Sequence, residues 1–187
     1  MSFLKGYKLS TRYLFINSLC ILLGIFVGSV FIRISNISVL EQFSERYLSF
    51  YDDMTFTGAI SILVKEYLVF AIIFVCSFFP YGQFAALSAL FYKGFCIGIV
   101  SAIACWRLKA GGIQYIFLMI FPQNFIYGIA LCLMAQITFD RISIGDTTGK
   151  HSMLSKQKYP YFLAAAIELL GVLTETIALP ALYKVIF

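Results

Sequence analysis

Residues 67–106 read "YLVFAIIFVCSFFPYGQFAALSALFYKGFCIGIVSAIACW" and carry one charged side chain, Lys93. A helix crosses roughly 30 Å of hydrocarbon with about 20 apolar residues, so the stretch is too long for one crossing and long enough for two. Pro80-Tyr81-Gly82-Gln83, near its middle, has the breaker chemistry of a reversal. The stretch therefore predicts two spans, over about residues 67–80 and 84–106, with Trp106 at the outer interface.

The rest of the chain has the same character. Of 187 residues, 61% are hydrophobic and 12% charged, with a mean hydropathy of +0.90. Soluble domains run near about 45–50% apolar and about 25% charged. No sustained alternation of the kind a barrel strand needs is present. An apolar run over about residues 13–32 follows Lys5, Lys8 and Arg12, is longer than a signal-peptide core and lacks a small-residue cleavage motif after it. It reads as a retained first span. Further runs over about 113–139 and 159–187 complete an all-α polytopic transmembrane bundle of about five spans, with residues 1–187 forming a single integral membrane domain. Little chain is left over for a separate soluble catalytic domain.

Charge sets the expected orientation. The N-terminal tail is basic, and residues 140–158 hold Arg141, Lys150, Lys156 and Lys158, so both belong on the cytoplasmic side. Residues 33–66 are net acidic and form the outer loop, which leaves the N-terminus inside and the C-terminus outside. Arg107 and Lys109 fall outside on this count, so a re-entrant fourth segment is the alternative. In the outer loop Val39, Leu40, Phe43, Tyr47, Leu48, Phe50 and Tyr51 recur at about helical spacing, predicting an amphipathic surface helix.

Polar residues inside the apolar runs are the candidate functional residues, since ionisable groups at membrane depth are costly, face the protein interior and usually pair. Lys93 lies in the third span, and Glu168 and Glu175 lie seven residues apart on nearly one face of the last. The expectation is a buried Lys93–Glu175 pair, with lysine snorkelling toward the interface as the alternative. Pro122 frees a carbonyl in the fourth span, and Gln123 and Asn124 supply donors and acceptors that can satisfy such groups. Pro180 frees another in the last span. Gly24 and Gly28 in the first span, and Gly94, Gly98 and Ala102 in the third, form small-residue stripes that let another helix approach, so a homodimer is plausible.

Other chemistry is thinly represented. Cys20, Cys76, Cys96, Cys105 and Cys132 sit in or beside apolar runs with no CxxC spacing, and read as small core hydrophobes. His151, the one histidine, lies in the Lys-rich loop and reads as solvated. No metal site or cofactor is expected. The chain lacks HExxH, GxSxG and GxGxxG, and nothing forms a nucleophile–base arrangement. Its basic residues are spread over separate loops, which suits anionic lipid and not nucleic acid.

Three motifs together resemble one family: "FYKGFCIG" at Phe91–Gly98, "FLMIFPQNFIYGIAL" at Phe117–Leu131 and "GVLTETIALPALYKV" at Gly171–Val185. In order and approximate spacing they look like the stage II sporulation protein M family, over roughly the last two thirds of the chain. The motifs are specific in combination, and the N-terminal third shares the type, one span followed by a polar outer segment. The resemblance implies a non-enzymatic scaffold for engulfment of the forespore. Such a scaffold positions two membrane-anchored cell-wall hydrolases, lytic transglycosylase D and amidase/endopeptidase P, at the septal membrane of a sporulating bacterium. The matching elements carry over to Lys93, Gly94 and Gly98, to Pro122, Gln123 and Asn124, and to Glu175 and Pro180. A transporter or permease-like subunit, with Lys93, Glu175, Gln123 and Asn124 lining a pathway, is the alternative.

Overall fold

The computed structural model describes residues 11–35, 40–42, 56–79, 81–143 and 150–186. Among these the chain is helical and holds no strand. Five helices are long and apolar enough to cross a membrane: Arg12–Ile34, Gly58–Cys76, Gly82–Leu108, Ala110–Asp140 and Tyr159–Tyr183. They lie within α1 (Thr11–Ile34), α2 (Phe56–Cys76), α3 (Gly82–Leu108), α4 (Ala110–Tyr115) continued by α5 (Phe121–Ser143), and α6 (Lys150–Leu173) continued by α7 (Leu179–Ile186). The bundle is an all-α polytopic membrane protein.

Two boundaries differ from the sequence reading. The second span runs from Gly58 to Cys76, not from Tyr67 to Pro80, which brings Lys65 and Glu66 into the membrane helix. Residues 67–80 alone are too few to cross, so the helix recruits the preceding turns in spite of their charges. At the other end of the chain, α5 runs on to Ser143 and α6 begins at Lys150, so much of the expected loop 140–158 is helical. The expected amphipathic helix lies largely outside the described residues; of it, Leu40–Gln42 are helical with Leu40 buried.

Registers between helices fix their directions. An added Cβ at Gly24 would strike the Phe91 carbonyl and at Gly28 the Phe95 carbonyl, while Gly94 and Gly98 lie equally close to Ile21 and Ile25. The two sets of residue numbers rise together, so α1 and α3 run parallel, backbone against backbone. Small-xxx-small spacing permits this closeness, where dispersion between backbones replaces a hydrophobic drive that lipid does not supply. By contrast Tyr13 stacks on Phe139 at 4.9 Å and Asn17 donates to the Cys132 carbonyl, so α1 and α5 are antiparallel. Tyr67 donates to the Ala165 carbonyl and Ser77 bonds Tyr161, so α2 and α6 are antiparallel too. These directions are those of five alternating crossings. The fourth crosses fully: Gly112 packs on Ala104 at one end and Phe139 meets Tyr13 at the other. It is a continuous span, not a re-entrant one.

The two glycine pairs thus face each other within one chain. Gly24, Gly28, Gly94 and Gly98, the small residues from which a homodimer is expected, are covered within the chain itself.

The prolines shape both long C-terminal spans in the same way. Residues Ile116–Ile120 and Thr174–Ala178 are π-helical, and Pro122 and Pro180 each stand two residues beyond. The Phe121 N–H donates to the Ile116 carbonyl and the Leu179 N–H to the Thr174 carbonyl, five residues back. Proline lacks an N–H and its ring crowds the carbonyl four residues earlier; a wider turn relieves both.

Candidate functional site: a polar latch at mid-membrane depth

Lys93 lies eleven residues into α3, about 16 Å along a helix that rises 1.5 Å per residue. That is near the middle of the hydrocarbon. Its ammonium binds both carboxylate oxygens of Glu66, each at 2.6 Å. It also sits 4.2 Å from the centroid of the Tyr127 ring, on α5. Tyr127 in turn donates its hydroxyl to Glu175 Oε2 at 2.8 Å. Four spans are tied through one aromatic ring that is 1% exposed.

The expected Lys93–Glu175 pair is therefore corrected. Glu66 on the neighbouring α2 takes the lysine directly, and Tyr127 stands between Lys93 and Glu175. The pairing is direct where the helices form a hairpin, because a short connection puts residues 66 and 93 at matching depth. Lysine does not snorkel: Lys93 is buried, and a paired, hydrogen-bonded charge costs much less than a lone one.

Tyr127 was not singled out from sequence, since one tyrosine among 12 carries no signal in an aromatic-rich chain. Its seat is shaped by Gly171, where any Cβ would fall among the ring carbons. A phenol ring can present its π-face to the ammonium and its hydroxyl to a carboxylate at once. It thereby serves two charges of opposite sign.

The remaining sequence candidates stand on the spans that carry the latch. Asn124 donates to the Ile120 carbonyl of its own helix at 2.8 Å, at the end of the π-helical turn. Gln123 is buried. Pro122 and Pro180 act through the two π turns, and Ala102 continues the glycine stripe of α3, half-buried. Glu168 is fully buried, and neither of its oxygens has a hydrogen-bond partner. Two residues not anticipated share that condition: Gln136 is wholly enclosed with both amide atoms unsatisfied, and Asn17 is enclosed with its carbonyl unsatisfied. A signal for them was present, as polar residues inside apolar runs.

Among the described residues no three His, Cys, Asp or Glu side chains converge as metal ligands would. Comparison with known proteins finds no matching family model, curated protein or solved structure.

Proposed function

We propose that the chain is a non-enzymatic membrane scaffold of the kind its sequence resembles, the stage II sporulation protein M family. On this reading it recruits peptidoglycan-degrading enzymes, lytic transglycosylase D and amidase/endopeptidase P, and holds them at the septal membrane of a sporulating bacterium during engulfment. One observation carries the reading: Lys93, Glu66, Tyr127 and Glu175 spend their polar groups on one another, binding helix to helix. Residues from all three motifs, Lys93, Tyr127 and Glu175, meet in that latch. A rigid bundle of this sort suits a platform better than a reaction centre.

The test is complementation. In an endospore-forming host lacking its own stage II M protein, this chain should restore engulfment and co-purify with both hydrolases. A chain that inserts and folds but restores neither would overturn the proposal.

The second reading, a transporter or permease-like subunit, is favoured by the unsatisfied atoms of Glu168, Gln136 and Asn17. It requires that cysteines placed at Ala164 or Ala130 react with water-soluble thiol reagents. Silence at both positions argues for the closed platform.

A further inference from the structure

Glu168 is enclosed at the middle of the last span with no group left to receive its charge. It is 0% exposed and both oxygens lack a hydrogen-bond partner. The charged and titratable groups that act on it are Glu66 and Tyr67 from α2, Lys93 from α3 and Tyr127 from α5. The donors nearest to it in this network are committed. Lys93 gives itself to both oxygens of Glu66, Tyr67 donates to the Ala165 carbonyl and Tyr127 donates to Glu175. Glu66 bears a like charge, and the Lys93 ammonium is already bound to it. Glu66 and Glu168 thus have one ammonium between them, Lys93, and a bare carboxylate in such a place is among the most costly groups a membrane protein can bury.

We propose that Glu168 is a binding site for a small monovalent cation, a proton or an alkali-metal ion, enclosed among spans two to five. The bound charge completes the electrostatic balance that Lys93 leaves unfinished. A divalent metal is a poor fit, because the acids do not converge as a ligand set. The inference is independent of the scaffold reading.

The experiment uses the full chain in lipid nanodiscs, as wild type and as Glu168→Gln, which has the shape of a neutral carboxyl but holds no cation. Infrared spectra give the carbonyl stretch of a protonated carboxylic acid, and thermal unfolding is followed in choline chloride or sodium chloride from pH 6 to 9. If the occupant is a proton, the wild type shows the acid band at neutral pH, Glu168→Gln lacks it and Glu175→Gln keeps it. In that case Tm falls toward alkaline pH by about 5 °C more in the wild type than in Glu168→Gln, with sodium and choline alike. If it is an alkali ion, the acid band is missing and sodium raises the wild-type Tm over choline, with no such rise in Glu168→Gln. Should Glu168→Gln fail to fold, Glu168→Leu replaces it and the wild-type band and sodium response stand on their own. A wild type with neither an acid band nor a sodium response overturns the proposal, as do responses that persist unchanged in the variant.

Discussion

Replacing Gly98 by alanine adds one carbon where the chain has no room for it. The new Cβ would collide with the Ile25 carbonyl oxygen and lie 2.9 Å from both the Ile25 carbonyl carbon and its Cα. Those atoms are backbone and cannot rotate aside, so α1 and α3 must part. Restoring an ordinary carbon–carbon contact of about 3.5–4.0 Å needs a shift of roughly 0.5–1 Å, which forfeits a quarter to a half of the dispersion at each facing contact. Overpacking of this size costs about 1–3 kcal/mol, against which the better helix propensity of alanine returns up to about 1. Gly128→Ala is the control, since nothing lies within 4 Å of its added Cβ. Reversible unfolding in mixed micelles should show Gly98→Ala destabilised by about 1–2 kcal/mol and Gly128→Ala unchanged or more stable by up to about 1. The Gly98→Ala loss should also be independent of protein concentration, because the contact lies within one chain. Equal stabilities for the two variants, or a loss that disappears on dilution, would refute the α1–α3 packing.

Three further outcomes follow from the latch and its surroundings. Tyr127→Phe keeps the ring under Lys93 but strips Glu175 of its donor, and should cost about 1–3 kcal/mol in the same unfolding assay; Tyr127→Leu, which also loses the cation–π contact, should cost about 0.5–2 more. Gly171→Ala drives a methyl into the Tyr127 ring and should destabilise by about 1–3 kcal/mol, an effect that shrinks when measured in a Tyr127→Leu background. Gln136→Leu removes a buried amide with both polar atoms unsatisfied, so it should be neutral or stabilise by up to about 2 kcal/mol; a clear loss would mean the amide has a partner.

The helical spans were legible because lipid imposes a length and an apolarity that any reader of the sequence can count. Harder to read was where the second span begins. Lys65-Glu66 looked like the end of a polar loop, yet the remaining 67–80 was too short to cross, and that shortfall was the available sign that both residues lie in the helix. Once Glu66 is inside, the short connection between α2 and α3 makes it the natural partner of Lys93. The small-residue stripes were visible too, but spacing along one helix carries no record of which stripe it meets, so an internal pairing read equally well as a dimer surface. Tyr127 stayed hidden for a related reason: its role depends on a lysine, a glutamate and a glycine from two other spans. Among the polar candidates, sequence did not mark partners, since partners are set by tertiary register.

The most direct measurement is a pair of double-mutant cycles read by reversible unfolding, one on Lys93 and Glu66 and one on Lys93 and Glu175, each residue replaced by glutamine. Direct contact requires that breaking the Lys93–Glu66 pair from either side costs about 3 kcal/mol or more, and that the double variant recovers at least about 1.5 of the summed loss. With Tyr127 interposed, coupling between Lys93 and Glu175 should be at most half as large. A Lys93–Glu66 coupling near zero, or one exceeded by Lys93–Glu175, would contradict the latch.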